Sequence, residues 1–370
     1  MLPYSRYLKG GGRKLMLSDV DNKKQGYKIL IAVMPFVALL VALFLGGVLI
    51  FSVGINPWKA YGYMFRSLFS NIFLFSETFV HFVPLLFCSL SFAVGVKGQF
   101  INIGIEGQLY FGALIATLAG IYIQCLPAFI HIPLVLLAGV IGGVFLFGIA
   151  GILKIKFGVD EIISTLMLNY LAIFLVDFMV TYPLKPPNTY IPQSEKIAES
   201  ARLLPLIAGT QINLGLILSL LVAVIIYYYV YRSPYGYQIR VVGASSNVAK
   251  YAGIDILKST ISVIIIAGGL AGLAGASMLI GAQHKLVPAF SSGYGFQAIC
   301  TSVLAKNNPL WIILTALLFS FIQVGVGSMH RNAGVPLSLC WVIQGMIMVM
   351  ITSSEYLTSK FSANLVGGRA

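Results

Sequence analysis

The chain is 370 residues long, 58% hydrophobic and 9% charged, and its 24 Lys and Arg against 11 Asp and Glu leave a net charge of +13. Uninterrupted apolar runs of membrane-spanning length exclude an ordinary soluble core, and their continuity excludes the alternating pattern of a β-barrel. The basic residues are scattered among short loops, which argues against nucleic acid as a partner and leaves charges that set topology. The fold class is all-α, a polytopic helical membrane protein.

Residues 1–28 form a basic segment carrying Arg6, Lys9, Arg13, Lys14, Lys23, Lys24 and Lys28. The apolar run from Ile29 to about Val53 is too long for a signal-peptide core and lacks a small-residue cleavage site, so it reads as a retained first span with its basic head in the cytoplasm. Further spans are expected near Glu77 to Val96, Ile103 to Ile123, His131 to Leu153, Ile162 to Tyr182, Ile212 to Tyr231 and Ser259 to Ala282. Later ones run near Phe290 to Leu304, Leu310 to Ser328 and Pro336 to Ile351, for about ten transmembrane helices in all. Pro183, Pro186, Pro187, Pro192 and Pro205 mark exposed loops. The resulting organisation is a transmembrane domain over 29–352, with an external loop at 183–211 and a cytoplasmic loop at 232–258, followed by a cytoplasmic tail at 353–370.

The run from Phe290 to Leu304 is shorter than the roughly 20 residues of a full crossing, so at least one helix is short or broken. If it crosses, Lys97, Lys154, Lys156, Arg232, Arg240, Lys250, Lys258, Lys306, Lys360 and Arg369 share the side of the basic N-terminus. Only Lys59, Arg66, Lys185, Lys196, Arg202, Lys285 and Arg331 then face the other side, which is the positive-inside asymmetry. A short helix shielded by protein is a usual way to line a solute path.

Cys88, Cys125, Cys300 and Cys340 lie singly in or beside apolar stretches and read as packing residues. With His81, His131, His284 and His330 equally dispersed, no metal site is expected. Two segments carry small residues at helical spacing: Gly139, Gly142, Gly143, Gly148 and Gly151 in one, and Ala267, Gly268, Gly269, Ala271, Gly272, Ala274 and Gly275 in the other. Both read as close helix contacts.

Polar groups at the membrane boundaries bear on function. In Phe100 to Gln108 an amide, a carboxylate and a second amide (Asn102, Glu106, Gln108) stand among glycines at the start of a span. Two readings are open: Asn102 caps the helix with Glu106 in its first turn, or a broken helix turns these groups toward a cavity. Asp160, Glu161, Ser164, Thr165 and Asn169 open the fifth predicted span on the cytoplasmic side, with Glu161, Thr165 and Asn169 on one face. Asp177, near the outer end of that helix, is expected to reach the headgroup region. The loop from Arg232 to Lys258 is the longest soluble-looking stretch between apolar spans, and its Ala244, Val248, Ala249, Tyr251 and Ala252 give a short helix a small apolar face. No GxxxxGK[ST] phosphate loop occurs anywhere, so the chain cannot hold ATP in the usual way.

The strings NIGIEGQ, GVDEIISTLMLNY, GYQIRVVGASSNVAKYAGI, AGGLAGLAGA and GYGFQAI, in that order and spread over most of the chain, resemble the permease subunit of bacterial ABC importers for nucleosides. That family is related to simple-sugar and branched-chain amino acid permeases. The resemblance implies import of nucleosides, purine nucleosides favoured, by alternating access in the bacterial plasma membrane, with both termini cytoplasmic. It implies a cytoplasmic ATP-binding subunit, a second and different permease chain, an extracytoplasmic substrate-binding lipoprotein and contact with lipid. ATP and Mg would sit on the ATPase, and this chain would bind no cofactor and do no catalysis.

The resemblance also makes the loop from Gly243 to Gly253 a coupling helix docked on the ATPase, through Gly243, Ala244, Asn247, Ala249, Lys250, Tyr251, Ala252 and Gly253. The candidate substrate pathway consists of Asn102, Glu106, Gln108, Asn169 and Gln297. Gln297 and Gln344 depart from the pattern, since relatives often carry acids in those regions, and this bears on substrate preference. A secondary transporter is disfavoured because most acids sit at span ends or in loops, and a channel because no filter-like repeat is evident.

Overall fold

The computed structural model describes residues 34, 36–70, 72–124, 126–187, 189–207 and 209–367. The basic segment 1–28, the start of the first span and Cys125 lie outside them. Two compact units are present, one spanning Trp58–Cys340 and the other drawing on residues before and after it.

The first helix, α1 (Phe36–Ser52), is apolar but short. Phe36, Leu40, Phe44 and Phe51 form an exposed stripe along it, whereas Ala42 and Ile50 are buried. The last helix, α13, runs over Leu337–Gly367, so the stretch expected as a tail from 353 continues the helix.

Between them lie α2 (Pro57–Ser70), α3 (Ile72–Lys97), α4 (Ile105–Tyr122), α5 (Ala128–Phe157), α6 (Glu161–Thr181), α7 (Gly215–Arg232), α8 (Pro234–Ala244), α9 (Ser246–Tyr251), α10 (Ile256–Met278), α11 (Tyr294–Leu304) and α12 (Pro309–Ala333). A π-helical turn, Leu279–Gln283, extends α10. Among the described residues eight helices are long and apolar enough to cross a membrane, and the sole β-pairing is an isolated bridge between Pro205 and Asn213. This is the architecture of a multi-pass helical membrane protein.

Local sequence sets the helix boundaries. Asp160 accepts from the Ile162 and Ile163 amides at 2.9 and 3.1 Å and starts α6. Ser233, followed by Pro234, accepts from Gly236 N at 3.0 Å and starts α8. Asp255 caps α10 through the Lys258 amide at 3.1 Å, which places the start of that helix before the expected Ser259. Each cap satisfies amides that the first helical turn leaves open. The amphipathic α2 was not anticipated, because its apolar positions alternate with Lys59, Gly62 and Arg66 and never make a continuous run.

In the large unit α3, α4 and α10 are central, with 78%, 72% and 83% of their apolar windows buried, whereas α6 and α7 are 28% buried and peripheral. The glycines expected to make helix contacts meet one another across α4, α5 and α10. A Cβ on Gly272 would stand 2.1 Å from the Gly139 carbonyl oxygen, and one on Gly275 would stand 2.0 Å from that of Leu109. Apolar burial gives helices little reason to associate in lipid, so backbone approach of this kind supplies the dispersion contacts instead. Gly148 is different, with nothing within 4 Å of where its Cβ would be.

The loop after α6, expected to be exposed, folds back onto the bundle. Leu203 N donates to Ile280 O at 2.9 Å, Ile197 N to His284 O at 3.0 Å and Asn213 Nδ2 to Gly281 O at 2.8 Å. The Ile280 and Gly281 carbonyls belong to the π turn and that of His284 to the left-handed residue that ends it, and the loop takes up all three. Ile197, Ala201 and Leu203 then bury against Ala116, Val135 and Leu279. Tyr190 and Ile191 remain exposed.

Candidate functional site

The predicted polar residues gather where α4 begins. Asn102 and Gln108 exchange side-chain hydrogen bonds at 2.9 and 3.1 Å, and Asn102 Oδ1 also accepts from Gly104 N at 3.0 Å. Asn102 thus holds the turn that enters α4, while the cap position itself falls to Gly104, which offers no side chain. The amides of this segment are spoken for by α6 as well: Ile103 N donates to Thr165 Oγ1 at 3.3 Å, and Gly107 N donates to Asn169 Oδ1. Thr165 and Asn169 are one turn apart on α6, so that face registers the first turn of α4 against it.

Glu106 lies in the first turn of α4 and is 3% exposed. Its Oε2 accepts from Gly295 N, 2.5 Å away, in the first turn of α11. One carboxyl therefore sits at the N-termini of two helices, where the open amides and the helix dipole favour an acceptor. The approach requires glycine at 295, because a Cβ there would stand 2.3 Å from Glu106 N. Tyr294 is fully buried beside it and its hydroxyl hydrogen-bonds to His81 Nδ1.

The stretch expected as a span from Phe290 is helical only over the eleven residues of α11, about 16 Å of rise. Before it, residues 284–293 run without regular structure, with positive φ at His284, Ala289 and Gly293. This stretch passes along α4: the Phe290 ring packs on that of Tyr110 at 4.4 Å, and Ser291 N reaches the Tyr110 hydroxyl at 3.4 Å. From Tyr110 to Glu106 is one helical turn, so the chain descends beside α4 before α11 starts. The element is a half-helix preceded by a non-helical leg that buries Leu286 and Phe290 and leaves Ala289 and Ser292 exposed.

Gln297, one half-turn beyond Gly295, donates from Nε2 to Ser292 O at 3.0 Å. Two amide atoms in this region, Gln297 Oε1 and Asn169 Nδ2, are buried without a protein partner among the described residues. Asp177, near the far end of α6, is half-buried, and its Oδ1 has no partner among the described residues.

The second predicted group occupies the turn between α8 and α9. Asn247, Lys250, Tyr251, Ala252 and Gly253 are exposed, Tyr251 at 94% and its neighbour Val248 at 58%. Ala249 is fully buried and faces the bundle, and Gly243 abuts the end of α3, where a Cβ would stand 2.0 Å from Lys97 O. Arg240 and Lys97 both lie over the Tyr231 ring, at 5.4 and 5.8 Å, and fasten α8 to its neighbours.

Sequence reasoning missed the groups joining these two places. Lys154 Nζ is 2.9 Å from Glu161 Oε1, donates to Gln99 O at 3.3 Å and lies 4.5 Å above the Phe100 ring. Ser246 Oγ in turn reaches Gln99 Oε1 at 3.4 Å. The available signal was a lysine in the last turn of α5 and an acid in the first turn of α6, each favoured there by the helix dipole. Away from both groups, a cavity of about 220 Å³ opens beside Thr210, Asn213 and His284. His284 there is held below the ordinary imidazole range by burial, then by Arg202 and Lys196. No candidate pathway residue lines that cavity.

The chain is 31% identical to a glucose ABC transporter permease of Haloferax volcanii, over 87% of each chain. It is 31% identical to a guanosine ABC transporter permease of Bacillus subtilis, over 86% of this chain and 92% of that one. A nucleoside ABC transporter permease of Lactococcus lactis is 30% identical over 90% and 92%. No solved structure matches. Residues 74–352 match the family described as branched-chain amino acid transport system, permease component. With α4 to α12, the half-helix and the exposed α8–α9 turn inside that match, this chain belongs to the family of membrane permease components.

Proposed function

We propose that this chain is a membrane-spanning subunit of an ATP-driven importer of nucleosides, moved between its open states by a separate ATPase docked at the α8–α9 turn. The observation that carries the reading is that turn: α9 is fixed to the bundle through buried Ala249 yet turns Val248, Lys250 and Tyr251 outward as a small apolar and basic surface. Two relatives named for guanosine and nucleoside transport support the solute class. ATP and Mg belong to the partner ATPase, and a second permease chain and an external binding lipoprotein complete the assembly. The α8–α9 turn and both termini face the cytoplasm of a bacterial cell, in keeping with the positive-inside asymmetry.

In this reading Glu106, Asn102 and Gln108 hold the junction between α4 and the half-helix α11. Asn169 and Gln297 retain atoms free to meet solute or water as that junction moves. ATP-driven closure of the ATPase pair would pull on α9 and rock the attached helices.

A mild-detergent pull-down of the tagged chain, followed by uptake of labelled guanosine and glucose in vesicles bearing the recovered complex, tests the proposal. ATP-dependent guanosine uptake alongside a co-purified ATPase is the expected result. A glucose relative of equal identity supports a monosaccharide as the second reading, and ATP-dependent glucose uptake in preference to guanosine would establish it. Uptake driven by an ion gradient without ATP would overturn both.

A further inference from the structure

We propose that Lys154 is a positioning residue of the transport cycle, tying the segment 99–107 to α6 so that displacement of the α8–α9 turn is delivered to the start of α11 instead of being absorbed in the loop. The inference rests on the importer reading given above. At one end of the segment, Gly243 abuts Lys97 O and Ser246 touches the Gln99 side chain. At the other, Glu106 holds the Gly295 amide of α11.

Between those ends the segment needs a stiff support, and it begins at a conformationally unfavourable point. Helix α3 closes with the Phe100 amide on Gly95 O at 2.9 Å and the Gln99 amide on Val96 O at 3.2 Å, with Gln99 at φ 56. That left-handed position usually falls to glycine, so a side-chain-bearing residue there relies on its surroundings to persist. Lys154 bonds the carbonyl of this exposed residue, and Ser246 its side chain. The Lys154 ammonium also spans to Glu161 on α6 and covers Phe100, whose ring packs edge-on against Phe147 at 4.9 Å. Thr165 and Asn169, one and two turns farther along α6, receive the Ile103 and Gly107 amides, so the tie is the first of three attachments in a row. It is also the one nearest the α8–α9 turn.

The test uses the complete complex reconstituted in proteoliposomes, with a cysteine at exposed Ser292 labelled by a maleimide before and after trapping with ATP and vanadate. The expected result is a labelling rate that changes on trapping in the parent. In Lys154→Met that change shrinks roughly threefold or more, within the range of coupling effects seen for intermediate residues, while ATP hydrolysis and the thermal midpoint hold. Lys154→Arg retains the change. A residue that merely supported the fold would lower the midpoint and ATP hydrolysis together and leave the change on trapping intact. If Lys154→Met fails to assemble, Glu161→Gln decides by the same readout. Retention of the parental change in the deciding variant overturns the proposal, as does a parent that hydrolyses ATP without any change at Ser292. Failure of the chain to recover an ATPase is a separate result, which overturns the importer reading and the tie with it.

Discussion

Glu106 separates a structural from a solute-binding role most sharply. In Glu106→Ala the Gly295 amide loses its acceptor inside the bundle, a penalty of about 1–3 kcal/mol, and one buried methylene worth about 0.8 kcal/mol is lost. The sum is about 3 kcal/mol. At roughly 2–4 °C per kcal/mol for a domain of this size, the thermal midpoint should fall by roughly 6–12 °C. Glu106→Gln keeps an acceptor oxygen and the side-chain volume, so its loss should stay under about 1 kcal/mol. The assay is the midpoint in detergent, read by tryptophan fluorescence, beside ATP-dependent uptake in vesicles. Uptake should follow the midpoint, with Gln near the parent and Ala impaired. Two variants that both abolish uptake while leaving the midpoint unmoved would refute the reasoning and make the carboxyl a solute contact.

Gly272→Ala forces a methyl against the Gly139 carbonyl and should destabilise by at least about 2 kcal/mol, whereas Gly148→Ala, which meets nothing, should leave the midpoint unchanged or slightly raised. Tyr251→Glu should uncouple ATP hydrolysis from uptake without altering the midpoint, and Ala249→Glu, on the buried side of the same turn, should lower the midpoint first; the reverse order in the melts would invert the assigned faces. His284 is held neutral in the folded state, so on acidification below its ordinary value of 6.5 the unfolded chain takes the proton first. Stability should therefore be full above that pH and decline as pH falls toward the lower folded-state value. Comparing midpoints at neutral and mildly acidic pH checks this, and His284→Asn, which tolerates the positive φ, should flatten the decline.

The exposed turn and the class of fold were legible because each is a local property. The acids Asp160 and Glu161 mark the start of α6, and the Arg232–Lys258 stretch stands out between apolar spans by composition alone. The short helix was legible as a shortfall of length before Lys306. Its true start at Tyr294 was not, because Phe290 to Gly293 are apolar or small and differ from helix only through the packing of Phe290 on Tyr110. Ala249 and Tyr251 likewise share one apolar pattern, and only the bundle on one side decides which is buried.

What the sequence by itself determined is therefore hydropathy, the acidic start of α6 and the separation of membrane from non-membrane segments, since these depend on each residue and its near neighbours. Tertiary structure alone decided that Glu106 meets Gly295, that Asn102 pairs with Gln108 instead of capping α4, that the 183–211 loop packs down on a π turn, and that Lys154 joins Gln99 to Glu161. Each of these depends on which groups the packing of distant segments brings within hydrogen-bond reach, and most of the partners lie 55 to 189 residues away along the chain.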